Sequence, residues 1–247
     1  MTKSTPQQPA DLVGEVIQSL QQMAQAGCSG FDCTPAYLEI LKQWKKPLAF
    51  NGEKPALGQS VPGTETLADI RADLGDCRRC KLCEGRNSIV FGQGAEKTRL
   101  VFVGEGPGAE EDRQGQPFVG AAGHLLTKII QAIKMTREDV YICNIIKCRP
   151  PGNRNPQPDE IAACVPFLKR QLQAIAPDYI CALGSFAAKT LLETDTPVSR
   201  LRGRLHDYMG MHLLPTYHPA YLLRNPERKR DVWEDMKLLM RSMGIDH

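Results

Sequence analysis

From residue 67 onward, strand-length apolar runs alternate with segments of helical periodicity, and this alternation limits the fold more than any other feature of the chain. The apolar runs occupy residues 99–104, 139–146, 178–184 and 211–218. The helical patterns occupy residues 123–133, 160–175, 185–193 and 231–243. Repeated strand–helix–strand units place parallel strands side by side and pack their helices against the sheet. We therefore predict an α/β protein, a three-layer fold with a central, mostly parallel sheet flanked by helices.

The first 66 residues lack this alternation. Apolar residues recur at helical spacing over residues 11–27, and a second short helical pattern covers residues 35–46. Residues 47–66 are rich in Pro and Gly, which is typical of a linker. The chain is therefore predicted to have two parts, a helical or disordered N-terminal extension with its linker at 1–66 and one folded domain at 67–247.

The charge is distributed unevenly along the chain. Residues 1–76 carry 6 Lys+Arg and 9 Asp+Glu, whereas residues 77–247 carry 25 and 19, so the net charge of +3 conceals a basic domain. A surplus of this size is compatible with a nucleic-acid partner but does not require one. Because no apolar run reaches roughly eighteen residues and no secretion signal begins the chain, we expect a cytoplasmic protein without membrane contact.

Nine cysteines are more than a chain from a reducing compartment needs for packing. Their odd number argues against a complete disulfide framework, which favours metal binding or reactive thiols. Two widely separated pairs predict a four-thiolate site for zinc or an iron–sulfur cluster, formed by Cys77, Cys80, Cys148 and Cys164. Cys83 competes for a place, but we leave it out because the first two form the tight chelating pair. Cys143 and Cys181 lie in apolar strands and are expected in the core.

A glycine-spaced turn follows the first strand in the stretch LVFVGEGPGAEED. It satisfies the dinucleotide fingerprint at Gly104, Gly106 and Ala109. Three acids at 110–112 occupy the helix start that would receive a pyrophosphate, and Pro107 removes a backbone donor, so a nucleotide is disfavoured. We expect the turn to present Glu105 at the carboxyl end of its strand, where open α/β sheets bind ligands. The alternative is a strand end whose acids only cap the next helix.

Two further groups of residues lie at strand ends or in loops. His218 follows the last apolar run, so it can face the same crevice, although a lone histidine is more often structural. After it, Tyr221, Leu222 and Leu223 precede Arg224 on a predicted loop, and exposed apolar side chains beside arginine resemble the wedges that proteins insert between DNA base steps.

An aromatic residue and an amide complete the candidate site. Phe118 lies on a glycine-flanked loop, where its ring can stack on a planar ligand. Asn144 ends the second strand, and its amide can read a base edge with one donor and one acceptor. Each residue alone is more often structural than functional, so the hypothesis of a binding site depends on their occurring together.

Taken together, these motifs resemble the family 4 uracil-DNA glycosylases, the iron–sulfur branch of their superfamily, over residues 70–243. The matching blocks are CRRCKLCEGRNSIVFGQG, GEGPGAEEDRQGQPFVGAAGHLL, VYICNIIKCRPPGNRNPQPDE and HPAYLLRNP. The resemblance implies a DNA repair enzyme that flips uracil out of DNA and hydrolyses its N-glycosidic bond, leaving an abasic site. The implied partner is uracil-containing DNA, single- or double-stranded, bound by a monomer.

The resemblance also implies a role for each matching residue. A [4Fe-4S] cluster would be held by Cys77, Cys80, Cys148 and Cys164. The uracil pocket would be formed by Glu105, Gly106, Pro107, Phe118, Asn144 and His218. Glu105 would orient the attacking water and stabilise the sugar cation, and His218 would stabilise the departing uracil. Leu222 falls at the position of the intercalating leucine, with Arg224 beside it at the DNA.

Two other hypotheses remain open. The chain can be a non-catalytic iron–sulfur protein of the same fold that only binds nucleic acid, which an assay on a uracil-containing oligonucleotide would reveal. It can also be a nucleotide-binding enzyme, which would retain NAD or a nucleoside phosphate during purification.

Overall fold

The computed structural model describes residues 65–245. Its strands are β1 (Gln93–Gly94), β2 (Leu100–Gly104), β3 (Tyr141–Asn144), β4 (Tyr179–Leu183), β5 (His206–Tyr208) and β6 (Met211–Thr216). Its α-helices are α1 (Leu67–Leu74), α2 (Ala109–Gln114), α3 (Ala121–Ala132), α4 (Pro158–Ile175), α5 (Gly184–Leu192), α6 (Val198–Leu201), α7 (Pro219–Arg224) and α8 (Lys229–Met243). Short 3₁₀ turns occur at Lys81–Glu84, Pro151–Asn153 and Pro226–Arg228.

The strands form one sheet in the order β1-β3-β2-β4-β6-β5. The four inner strands run parallel, and the outer strands β1 and β5 pair antiparallel with their neighbours. This arrangement confirms the predicted central, mostly parallel sheet. The two edge strands were not predicted, because two and three residues are too few to display an alternating pattern.

The sheet is covered by helices on both faces, since successive side chains of a strand point to opposite sides. Val101 and Val103 of β2 join an apolar cluster with α1, α4, α5 and α6. Leu100 and Phe102 join a second cluster with α3 and α8. All five residues of β2 are buried, as a strand covered on both faces requires. The predicted three-layer architecture is thereby confirmed.

The described part of the chain begins with a well-capped helix. The Thr66 hydroxyl accepts from the Asp69 amide at 3.1 Å, and the Asp69 carboxylate accepts from the Thr66 amide at 2.9 Å, so the two residues form a capping box at the start of α1. The predicted extension at 1–66 lies almost wholly outside the described residues, and the domain limits stay a prediction. Between residues 65 and 245, none of the helices has the length and apolar character needed to cross a membrane.

Residues 219–224 were expected to be a loop, and that expectation is wrong. Pro219 occupies the first helical position of α7, His218 caps the helix, and the Asn225 amide donates to the Tyr221 carbonyl at its end. Proline at this position suits a helix start because its missing amide hydrogen would have no partner there. The consequences for the DNA-contacting side chains are described below.

Candidate active site

The carboxyl ends of β2, β3 and β6 meet at one cavity of about 450 Å³. Glu105 follows β2, Asn144 ends β3, and His218 follows β6 by two residues. Every residue predicted for the uracil pocket lines this cavity, namely Glu105, Gly106, Pro107, Phe118, Asn144 and His218. Parallel strands next to one another bring their carboxyl ends together, which explains why residues far apart in sequence converge.

Asn144 carries an unused acceptor into the cavity wall. Its side chain is 1% exposed, and within the described residues its Oδ1 atom has no hydrogen-bond partner. The fit around it is close, because a Cβ on Gly104 would lie 2.4 Å from Asn144 Oδ1 and 2.6 Å from Phe118 Cζ. Only glycine is therefore accommodated at position 104. A buried acceptor without a partner costs free energy, which a ligand with a matching donor would recover.

His218 is held as a neutral imidazole with a defined tautomer. Burial, followed by the positive charge of Arg224, lowers its pKa from 6.5 to about 4, although Glu111 partly opposes the shift. The His218 Nδ1 atom accepts from the Ala220 amide at 3.1 Å, so the ring proton resides on Nε2. His218 is thus a neutral donor, and its ring lies 5.7 Å from that of Phe118, centroid to centroid.

Phe118 is fixed in an unusual backbone conformation. Its φ angle is 54°, in the left-handed region that an aromatic residue rarely adopts. Arg137 holds the turn there, because its guanidinium donates to the Phe118 carbonyl at 3.2 Å and to the Pro117 carbonyl at 2.8 Å. Such a strained residue persists only when its surroundings determine it. The ring of Phe118 is consequently presented to the cavity by a rigid loop.

Glu111 holds the same loop from its other side. One carboxylate oxygen accepts from the amides of Val119 and Gly120 at 2.9 and 3.0 Å, and the other accepts from the Gly108 amide at 3.1 Å. Glu111 thereby joins the glycine turn to the aromatic loop. A negative carboxylate at the third position of α2 also suits the helix start.

The remaining acids after the turn are also structural. Asp112 is buried and accepts from the backbone amides of Asn87 and Ser88 at 2.9 and 3.3 Å. Glu110 pairs with Arg113 at the surface. Of these three acids only Glu111 caps the helix, as the alternative proposed, whereas Glu110 and Asp112 make other structural contacts.

The Glu105 carboxylate makes no hydrogen bond or ion pair within residues 65–245, and it lines the cavity. Burial raises its pKa above the usual 4.5. A carboxylate with raised basicity and no partner is suited to orient water or to face a developing positive charge.

A second, smaller cavity contains the four predicted cluster ligands. Cys77, Cys80, Cys148 and Cys164 line it, and Cys83 does not. The seven cysteines of the described part are free thiols, and Cys143 and Cys181 are buried in the core as expected. No three His, Cys, Asp or Glu side chains in residues 65–245 converge closely enough to bind one metal ion.

Donors surround the sulfur atoms of this cavity. The Arg79 and Arg86 guanidinium groups each approach a sulfur at 3.5 Å, on Cys77 and Cys148 respectively. The Lys147 amide donates to Cys164 Sγ at 3.2 Å. Burial raises the pKa of the Cys148 thiol to about 11, an effect that Arg86 opposes. Cationic and amide donors directed at thiol sulfurs fit a bound group that carries thiolates.

The two leucines of helix α7, Leu222 and Leu223, differ in their exposure. Leu222 is 1% exposed and packs in the apolar cluster with Leu126, Val232 and Met236. Leu223 is 47% exposed. The expectation that Leu222 is an exposed apolar side chain is therefore wrong, because a helix turns it inward. Its predicted contact with DNA stays untested.

Arg224, the other residue predicted to contact DNA, lines the active-site cavity at the end of α7. Asn153 and Arg154 of the 150–155 loop line the same cavity. Arg154 is committed to a bidentate ion pair with the buried Glu160, at 2.9 and 2.6 Å. Arg224 is thus the cation at this mouth for which the structure assigns no carboxylate within the described residues.

Two residues that hold the site were not identified from the sequence. Glu111 had a recognisable signal, since an acid three positions after a helix cap is typical of a capping box. Arg137 had none, because it contacts a loop that lies 19 positions earlier in the chain.

Comparison with known proteins places these features in context. The family model described as the uracil DNA glycosylase superfamily matches residues 91–237. A type-4 uracil-DNA glycosylase of Thermotoga maritima is 48% identical over 178 residues, which cover 70% of this chain and 93% of that relative. A type-4 uracil-DNA glycosylase of Archaeoglobus fulgidus is 43% identical over 181 residues, covering 70% of this chain and 91% of the relative. One from Sulfurisphaera tokodaii is 41% identical over 182 residues, covering 70% and 83%.

Proposed function

The chain belongs to the uracil DNA glycosylase superfamily, and on that premise we propose that it removes uracil from DNA as a type-4 enzyme of DNA repair. The reaction hydrolyses the N-glycosidic bond and leaves an abasic site. The observation that carries this proposal is the buried, unpartnered Asn144 Oδ1 in a cavity that also holds a neutral histidine donor and a fixed aromatic ring.

The proposed reader of the base is Asn144. Uracil presents the N3–H donor beside the O4 acceptor, and an amide side chain offers one acceptor and one donor in return. The lone Oδ1 atom would accept from N3–H. Cytosine has an acceptor at N3 and a donor at the exocyclic amine, so the same amide orientation would oppose it. Phe118 would stack on the base, and its clamped loop would keep the cavity too tight for the thymine methyl group.

His218 would stabilise the leaving group. As the glycosidic bond breaks, negative charge builds on the uracil oxygens, and a neutral Nε2–H donor can bind that charge without first losing a proton. The low pKa of about 4 supports this role, because the ring is then neutral throughout the physiological range. The structural donor at Nδ1, the Ala220 amide, fixes the ring orientation.

Glu105 would act at the other end of the breaking bond. Its carboxylate would orient the attacking water and stabilise positive charge on the sugar. Burial excludes bulk water from that interaction and thereby strengthens it. The glycine turn thus places acidic residues beside a neutral base and a cationic sugar. Of its four acids, only Glu105 would take part in the reaction.

We propose that the second cavity holds a [4Fe-4S] cluster. The ligands would be Cys77, Cys80, Cys148 and Cys164. The four thiols line one cavity, and the cationic and amide donors at three of the sulfurs fit the negative charge of a cluster held by thiolates. When bound, the cluster would supply a structural cross-link between the segment before β1, the loop after β3 and helix α4.

Uracil-containing DNA is the proposed partner, with Arg224 as a contact at the cavity mouth. The basic surplus of residues 77–247 supports an electrostatic contribution to binding. Action on single and double strands, the monomeric state and the cytoplasmic location remain predictions.

The test is single-turnover release of uracil from a labelled oligonucleotide by the wild-type protein and two variants. Glu105→Gln and His218→Asn should each slow release by about 10²- to 10⁴-fold, the range for a lost acid–base or electrostatic contact. His124→Asn is the matched control, since His124 lies exposed on α3 away from the cavity. Absence of release by folded wild-type protein would instead support the non-catalytic nucleic-acid-binding alternative.

A further inference from the structure

Asp235 is a carboxylate of α8 that is completely buried. Its side chain is 0% exposed, and a buried charge is costly unless it is paired and hydrogen-bonded. Arg202 supplies the opposite charge, since its Nε donates to Oδ2 and its Nη2 to Oδ1, each at 3.0 Å. The Thr216 hydroxyl donates to Oδ2 at 2.6 Å. Asp235 therefore joins α8 to the last residue of β6 and to the residue that follows α6.

Thr216 is the point at which the chain leaves the sheet for the active site. It is the last residue of β6, where it pairs with Leu183 of β4, and His218 follows it by two positions. The hydrogen bond at His218 Nδ1 comes from the Ala220 amide, within the same segment. That bond sets the direction of the ring inside the segment, but it does not set the place of the segment against the sheet. Contacts with other elements have to fix that place.

Arg202 continues the contact to the residues around His218. Its guanidinium carbon lies 5.6 Å from the centre of the Tyr217 ring, a cation–π contact on the residue directly before His218. The Tyr217 ring packs in turn on the Tyr221 ring, with centroids 5.2 Å apart, and Tyr221 lines the active-site cavity. Because the guanidinium is bound at two atoms to Asp235, it holds the Tyr217 ring in a defined place.

We propose that Asp235 is a positioning residue for the release of uracil. Through Thr216 and Arg202 it fixes the segment between β6 and α7, and thereby the place of the His218 Nε2–H donor at the departing base. The inference rests on the proposed function and deepens it. Asp235 does not line the cavity itself, so it acts on the reaction through the histidine. A misplacement of about 1 Å can slow a reaction on the order of 100-fold, which makes such a role measurable.

The dependence of the rate on the leaving group distinguishes positioning of His218 from a general loss of structure. The probe is DNA that contains 5-fluorouracil, because the electron-withdrawing fluorine stabilises the departing anion and reduces the need for a donor. The ratio of the single-turnover rate for 5-fluorouracil to that for uracil is the measured quantity. A variant in which His218 is displaced should lose more rate on uracil than on 5-fluorouracil, so its ratio should rise.

Asp235→Asn keeps the size of the side chain and removes its charge. It should slow uracil release on the order of 10- to 100-fold and raise the ratio, as His218→Asn also should. The double variant Asp235→Asn/His218→Asn should release uracil no more slowly than His218→Asn alone, because two residues that act through one group have non-additive effects.

Asp112→Asn is the matched control. Asp112 is a carboxylate with 1% exposure that accepts from the Asn87 and Ser88 amides, and it does not line the cavity. This variant should be less stable than the wild type in urea unfolding and should keep the wild-type ratio. A wild-type ratio in folded Asp235→Asn overturns the positioning role, whereas wild-type protein that releases neither base contradicts the proposed function.

A second pair of variants decides if Asp235→Asn does not fold. Thr216→Val and Thr216→Ser both leave the ion pair of Asp235 with Arg202 intact. The valine variant loses the hydroxyl and should raise the ratio, whereas the serine variant retains the hydroxyl and should keep the wild-type ratio. A wild-type ratio in Thr216→Val would then overturn the positioning role.

Discussion

The protein should lose stability on acidification, because the folded state keeps His218 neutral. The pKa of His218 is about 4 in the folded protein and 6.5 as its ordinary value. Between these values the unfolded chain binds a proton that the folded protein does not, so stability rises with pH in that window. The stabilisation is fully present above about pH 6.5 and is lost as the pH falls towards 4.

The size of this effect follows from the shift. A difference of about 2.5 units corresponds to about 3 kcal/mol, and this is an upper limit because the imidazole is partly exposed. Protonation would also place a hydrogen on Nδ1, which now accepts from the Ala220 amide, and would therefore remove the cap of α7. Helix α7 should thus loosen together with the histidine.

The assay combines two measurements on wild-type protein and on His218→Asn. Urea unfolding at a series of pH values gives the free energy of unfolding, and the difference between the two proteins should shrink from pH 7 to pH 4. Titration of the labelled imidazole by NMR, assigned by its absence from the variant, should give a value near 4. An imidazole that titrates near 6.5 would refute the neutral-donor mechanism, because the ring would then change charge within the working range.

Three further predictions concern the thiol cavity, helix α7 and the aromatic loop. Cys164→Ala should abolish the visible absorbance of the cluster together with solubility, whereas Cys83→Ala should keep the full iron content, because only the former lines the thiol cavity; equal colour in both would contradict the ligand set. Leu222→Ala should lower the free energy of unfolding by about 2–5 kcal/mol as a core truncation, and Leu223→Ala should leave stability unchanged; the reverse order in urea unfolding would show that α7 is turned differently in solution. Arg137→Met should cost about 1–3 kcal/mol and slow uracil release, since two buried carbonyls of the aromatic loop lose their donor; wild-type values in both measurements would remove the loop clamp from the account.

The sheet and the meeting of the site residues could be predicted because both depend on local patterns. The four long strands have apolar runs of sufficient length, and parallel strands place their carboxyl ends at one edge. His218 was therefore expected to face the same crevice as Glu105, and the family resemblance placed Asn144 in the same pocket. The family assignment from the quoted blocks is likewise confirmed by the matching superfamily model and relatives.

Some features could not be predicted from the sequence. They depend on contacts between distant segments or on which side of a short helix is buried. Arg137 reaches Phe118 across 19 positions, which no local pattern records. Leu222 was expected to be exposed because α7 was taken for a loop, although Pro219 at its start is a helix signal. The burial of Lys147 was not predicted, because it follows only from the packing of the loop after β3.

The central claim is that uracil donates a hydrogen bond from N3–H to the unpartnered Oδ1 atom of Asn144. Inhibition by free bases tests this claim most directly. Uracil excision by the wild-type protein is measured under single-turnover conditions with added uracil or 3-methyluracil, in which a methyl group replaces the N3 hydrogen. We predict inhibition by uracil and affinity for 3-methyluracil lower by tenfold or more, since the loss of one buried hydrogen bond is worth about 1–3 kcal/mol and the methyl group also meets the wall. Equal inhibition by the two bases would contradict the assignment of Asn144 as the residue that reads uracil.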